Sequence, residues 1–177
     1  GHSARGIRTM GLAYATSTRG GSHHDARPRY PQPDFEMSAD DVAKYCVESQ
    51  NFTALGDSLV MCRFTMERGF GRLINEPLAE AFNLVTGWDF SVEDLSKAGA
   101  RVYTLERLIN CARGVNRAKD TLPFRVMHEP IPDGPAQGRY VPKEALDAQL
   151  DCFYALRGWN AEGIPTVETL HILQLEE

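Results

Sequence analysis

Between Ser91 and Gly114 the apolar residues Val92, Leu95, Val102, Leu105, Leu108, Ile109 and Ala112 recur at helical spacing. Side chains so spaced share one face of an α-helix, so this stretch commits the chain to a long helix. Ser91 stands at its N-cap and Gly114 just past its end. The same punctuation recurs elsewhere. Ser38 offers an N-cap, with Asp41 at the capping-box position, and predicts a helix carrying Val42, Tyr45, Cys46 and later Leu55 on one face. Asn75, Pro77 and Gly87 bracket a helix over "EPLAEAFNLVT", 76–86. "IRTMGLAYATST" (7–18) reads as a short helix stopped by Gly20 and Gly21. "KEALDAQLDCFYALRGW" (143–159) puts Leu146, Leu150, Phe153 and Tyr154 on one side, and "VETLHILQL" makes a last short helix. Residues 22–37, with three prolines, and the stretch after 118, with Pro123, Pro130, Pro132, Gly134, Pro135 and Gly138, read as irregular. No alternating strand of five residues, repeat or low-complexity tract is visible. The expectation is an all-α, mainly helical fold: a single multi-helix domain over 1–177 with one long Pro/Gly-rich irregular segment.

A net charge of −5 argues against nucleic acid or an anionic membrane as partner. No apolar run approaches the roughly 18 residues of a membrane span, and no secretory leader is visible. The four cysteines, Cys46, Cys62, Cys111 and Cys152, include no C-x-x-C pair. A chain long enough to bury its own core hardly needs disulfides, so reduced thiols and a cytoplasmic address are expected. Each cysteine alone reads as a small buried apolar residue.

The stretch "ALGDSLVMC" (54–62) sets a carboxylate, Asp57, and a thiol, Cys62, in apolar company. Alone, Cys62 reads as core. Asp57 is equally well a helix-end or N-cap residue, since Gly56 is a candidate helix breaker. His23, His24 and Asp25 follow a glycine pair, a combination that can bind a metal, although the spacing matches no common zinc pattern. "RGG" at 19–21 is a weak anion nest. "EDLSKAGARVYTLER" reads as an ordinary solvated helix face. No dinucleotide fingerprint, P-loop or nucleophile elbow is present.

Four segments carry the reading further. "MGLAYATSTRGGSHH" (10–24), "ALGDSLVMCRF" (54–64), "DTLPFRVMHEPIPDGPAQG" (120–138) and "YALRGWNAEGIPT" (154–166) resemble, in order, the tungsten-containing aldehyde ferredoxin oxidoreductase family. The resemblance extends over nearly the whole chain and implies the helical C-terminal domain of a much longer subunit. It also implies a tungsten (or molybdenum) bis-pterin cofactor and a [4Fe-4S] cluster shared with upstream domains. Cys62 would be the fourth cluster ligand, the other three coming from a motif this chain lacks. Asp57 would accept hydrogen bonds from a pterin, whose guanidine-like edge suits a carboxylate. Arg19, Met61 and Arg63 match pterin-contacting positions. His23 matches the active-site histidine, which gives or takes a proton beside the metal.

One position departs from the family. Asp25 stands where Lys or Arg is usual, and follows His24 where an apolar residue is usual. Either Asp25 accepts pterin N–H donors or Arg27 does the anionic work. The departure points to a subfamily acting on acyl-CoA or aromatic substrates. The implied reaction is oxidation of an aldehyde to its carboxylate, with electrons passing through the cluster to ferredoxin. The implied partners are the preceding domains of the subunit, ferredoxin or an electron-transfer subunit, an aldehyde or acyl substrate, and further copies in a homo-oligomer. Two alternatives stay open: a benzoyl-CoA-reductase-like tungsten subunit, and a non-catalytic helical assembly domain.

Overall fold

The computed structural model describes residues 2–29 and 36–176. Residues 30–35 of the expected irregular segment lie outside the described residues. Eight α-helices are present among the described ones: α1 (Arg8–Thr16), α2 (Ala39–Ser58), α3 (Arg63–Phe70), α4 (Glu76–Thr86), α5 (Val92–Ala112), α6 (Phe124–His128), α7 (Lys143–Arg157) and α8 (Val167–Ile172). A short 3-10 turn covers Arg117–Lys119. The all-α expectation holds.

Most boundaries follow the capping chemistry of the sequence. Ser38, Asn75 and Ser91 each accept a backbone N–H from the first turn of their helix. Ser91 and Asp94 complete a reciprocal capping box, and Gly87 closes α4 in the left-handed conformation. Helices α3 and α6 were not expected. Both are short and sit in stretches whose composition alone reads as loop.

Helix α2 is the central element, packed by α1, α5 and α7. Two apolar clusters lie along it. One gathers Leu12, Val42, Cys46, Tyr103, Leu146, Leu150 and Phe153 around α1, α2, α5 and α7. The other gathers Phe52, Leu55, Met66, Leu78 and Leu95 from α2 to α5. The inward face of α5 is Leu95, Gly99, Tyr103, Thr104 and Arg107, whereas Leu105, Ile109 and Ala112 are exposed. The run read as a solvated face therefore buries Gly99 and Tyr103. A Cβ on Gly99 would stand 2.3 Å from the Asn51 carbonyl oxygen, so glycine lets α5 lie directly on the α2 backbone.

Buried ions brace the far side. Arg107 makes two bonds to the Asp120 carboxylate, at 2.8 and 2.6 Å, and the Tyr154 hydroxyl adds a third at 2.5 Å. Arg157 has no carboxylate partner among the described residues. Its guanidinium donates to Asn51 Oδ1 (2.6 Å) and Gln50 Oε1 (2.8 Å) and lies over the Tyr103 ring. Burial lowers its pKa to about 10.

Candidate functional site

Three sequence features converge at the C-terminal end of α2. Gly56 does not break this helix. Met66 of α3 covers the bare face of Gly56, and α2 runs on to Ser58. Asp57 thus lies in the last turn of α2 rather than at an N-cap. A carboxylate is disfavoured there by the helix dipole. Two arginines offset it: Arg19 Nη1 at 3.0 Å and Arg63 Nη2 at 3.3 Å, one to each carboxylate oxygen. A carboxylate offers about four acceptor sites, and the Asp57 side chain is 47 % exposed, so two remain open to a further donor.

The chain leaves α2 through a Schellman turn. The Val60 N–H bonds the Asp57 carbonyl at 3.1 Å, and the Met61 N–H bonds that of Gly56 at 3.0 Å. Glycine takes the left-handed position of such turns at Gly114 and Gly158, but here Val60 takes it, at φ 54. A β-branched residue in that region is strained, a feature that gathers at functional sites. Val60 is also 92 % exposed. The turn delivers Cys62 to the N-cap of α3, exposed, which overturns its reading as core. Bonds from Thr65, backbone and side chain, and from the Phe64 backbone pull the Cys62 thiol below its ordinary pKa. Cys46, by contrast, is fully buried, and burial pushes it up to about 12. Cys111 and Cys152 are half-buried. Met61 packs against the second apolar cluster.

The histidine loop lies beside this turn. The Arg63 guanidinium donates to the His24 carbonyl and to Thr53 Oγ1, both at 3.0 Å. The His23 and His24 rings stand 4.2 Å apart. Burial, then His24, Arg27 and His2, lower the pKa of His23. Asp25 is buried and faces inward, accepting from Arg19 Nε at 2.5 Å and from the Ser17 hydroxyl. Among the described residues no group of three or more His, Cys, Asp or Glu side chains is placed to hold a metal ion, so His23, His24 and Asp25 do not form such a set by themselves. Arg27 is committed to Glu67 on α3.

Arg19, Asp25 and Asp57 line one cavity of about 240 Å³, with Thr18, Gln50, Thr53, Tyr103 and Glu106. Sequence reasoning missed the last five. Glu106 accepts from Thr18 at 2.7 Å, yet in the sequence it is one more charge on a helix. Gln50 is fully buried, its amide held between Arg157 and Thr16 Oγ1. No local pattern announces either residue. Among the described residues no helix is long and apolar enough to cross a membrane.

Residues 1–175 match the family model described as aldehyde ferredoxin oxidoreductase, domains 2 and 3. The tungsten-containing aldehyde ferredoxin oxidoreductase of Pyrococcus abyssi is 38% identical over 98% of this chain and 29% of its own length. That of Thermococcus kodakarensis is 38% identical over 90% of this chain and 26% of its own length. The aliphatic sulfonate oxidoreductase, WOR-like subunit, of Pyrococcus furiosus is 29% identical over 98% and 27%. Among solved structures, the active site complex BamBC of benzoyl coenzyme A reductase with 1,5 dienoyl-CoA superposes with TM-score 0.61 at 25% identity, covering 85% of this chain and 22% of that one. The chain spans less than a third of the length of each of these relatives.

Proposed function

The chain belongs to the aldehyde ferredoxin oxidoreductase family, and on that premise we propose that it forms one wall of the active site of a tungstopterin oxidoreductase acting on aldehydes. The balanced reaction is R-CHO + H2O → R-COOH + 2 H+ + 2 e−. Water supplies the oxygen, and the electrons leave through a [4Fe-4S] cluster to ferredoxin. When bound, the bis-pterin metal centre supplies the two-electron acceptor and the cluster a one-electron carrier. This chain orients, ligates and moves protons.

The observation that carries the reading is the turn joining Asp57 to Cys62. One strained bend joins an open carboxylate at the end of α2 to an exposed thiol at the start of α3. Such a pair is poorly suited to a packing role. Cys62 would give its thiolate as one cluster ligand, the described residues holding no group of three or more ligating side chains that could bind a metal alone. The open oxygen sites of Asp57 accept N–H bonds from the pterin edge, and charge assistance strengthens them. The imidazole of His23, held neutral near pH 7 by its surroundings, takes or returns one of the two protons. Tungsten is the metal named for the aldehyde ferredoxin oxidoreductases of Pyrococcus abyssi and Thermococcus kodakarensis, and molybdenum would meet the same donor set.

A second reading is favoured by one observation. The likeness to a benzoyl coenzyme A reductase complex fits an acyl-CoA substrate on the same residues. Substrate profiling of the full-length subunit separates the two.

The test of the shared site is iron content. Cys62→Ala in the full-length enzyme should deplete iron and abolish the cluster's reduced-state EPR signal. Alanine at Cys46, Cys111 or Cys152 should leave iron near wild type. Equal loss from all four would mean that misfolding, not coordination, accounts for the iron.

A further inference from the structure

The proposed chemistry leaves unused a closed ring that encloses the histidine loop. It runs from Asp25 Oδ1 to Arg19 Nε (2.5 Å) and from Arg19 Nη1 to Asp57 Oδ2 (3.0 Å). From Asp57 Oδ1 it passes to Arg63 Nη2 (3.3 Å), and from Arg63 Nη1 to the His24 carbonyl (3.0 Å). The His24–Asp25 peptide closes it. Asp25 is its buried member, with a side chain 1 % exposed against 46 % for Arg19.

Asp25 is not placed to receive a ligand. Its carboxylate already accepts from Arg19 Nε on one oxygen, and from the Ser17 hydroxyl and the Arg19 backbone N–H (3.4 Å) on the other. Most of its acceptor capacity is thus taken by donors from its own chain, and the side chain is 1 % exposed. A buried carboxylate is costly unless paired, so the charge here belongs to the Arg19 contact. Asp25 thereby aims Arg19, whose other arm reaches Asp57. The Asp25–Arg19 pair also closes the loop "RGGSHHD", which contains His23. With Gly20 at φ 82 and Gly21 beside it, the backbone alone gives that loop little stiffness. The ion pair supplies what the glycines do not.

We propose that Asp25 is a positioning residue: acting through Arg19, it holds the histidine loop in register with Asp57 and so sets where the His23 imidazole stands. The inference rests on the roles given above to His23 and Asp57. It assigns Asp25 to the protein's own scaffold rather than to the cofactor.

The experiment is a double-variant cycle in the full-length subunit with Asp25→Asn, Arg19→Gln and both together. Asp25→Asn keeps the shape but turns one acceptor into a donor facing Ser17, Thr18 and Arg19. Turnover should fall about 10- to 100-fold, the scale of a misplaced catalytic group, with KM, tungsten and iron contents unchanged. The double variant should be no slower than the slower single, because both break one contact. Multiplying effects would overturn the proposal, since Asp25 would then act independently of Arg19. If Asp25→Asn fails to load cofactor, Arg19→Lys takes its place. It keeps the charge but loses the fork that spans both carboxylates, and should show the same loss in milder form; full turnover there would also overturn the proposal. Hydrogen exchange at amides 17–27 gives a readout free of catalysis. It should rise in both Asp25→Asn and Asp57→Asn, and unchanged exchange would overturn the ring itself. Raised exchange with full turnover in Asp25→Asn would overturn the positioning role. The reading of His23 then stands or falls separately, on whether His23→Ala keeps its activity.

Discussion

Met66 of α3 lies against Gly56 of α2 so closely that a Cβ at Gly56 would stand 2.5 Å from its Sδ. This contact docks α3 on α2, and Cys62 is the residue at the N-cap of α3. Gly56→Ala asks only the end of a flexible side chain to move. Gly56→Leu must displace Met66, which is fully buried, and overpacking of that kind costs about 1–3 kcal/mol. Gly56→Leu should therefore lower the iron content of the full-length subunit without touching a ligand, while Gly56→Ala stays near wild type. Iron analysis of the two purified variants decides it; normal iron in the leucine variant would free Cys62 from any dependence on α3 docking.

Val60 holds a backbone conformation that costs a residue with a Cβ about 1–2 kcal/mol. Because its side chain is almost wholly exposed, little packing is lost on removing it. Val60→Gly should raise stability toward chemical denaturation by about 1 kcal/mol. A clear loss of stability would show that the valine side chain is covered in the assembled protein.

His23 should govern the acid limb of the pH–rate profile. Burial and nearby positive groups lower its pKa, so the neutral, proton-accepting form persists below the ordinary value of about 6.5. The limb should lie below pH 6.5, and activity should fall as pH drops through it. The sign for folding is the same: the unfolded chain binds this proton more readily, so stability is lost as pH falls. His23→Ala should lower kcat by about 10²–10⁴ and remove the limb, with metal content unchanged. His24→Ala should do far less. A slower His24→Ala enzyme at full cofactor loading would reverse the roles of the two rings.

The Arg107–Asp120 pair should carry much of the stability of the α5–α7 side. Both side chains are 3 % exposed, and removing one partner leaves a buried charge alone. Asp120→Ala should cost about 3–5 kcal/mol, read as a shift in the denaturation midpoint. A cost near 1 kcal/mol would mean that water reaches the pair.

Local chemistry in the sequence determined where most helices begin and end. Ser38, Asn75, Ser91 and Gly87 act on backbone groups within one turn, so their effect is legible without a fold. The inward face of α7 was legible too, because Leu146, Leu150, Phe153 and Tyr154 leave only one way to bury them. The spacing of Asp57 and Cys62 was visible as a pattern, and its likeness to a family pointed to this turn. Tertiary structure alone decided the rest. Gly56 stays helical because Met66, ten residues on, covers it. Asp25 and Arg107, polar enough to read as surface, are buried because Arg19 and Asp120 come to meet them. Helix α5 turns Gly99 and Tyr103 inward, and not Leu105 and Ile109, because only a glycine there lets it lie on the α2 backbone. Capping is settled between neighbours along the chain, whereas burial of a charge or the choice of a helix face is settled by desolvation and close packing against groups that the sequence does not place beside it.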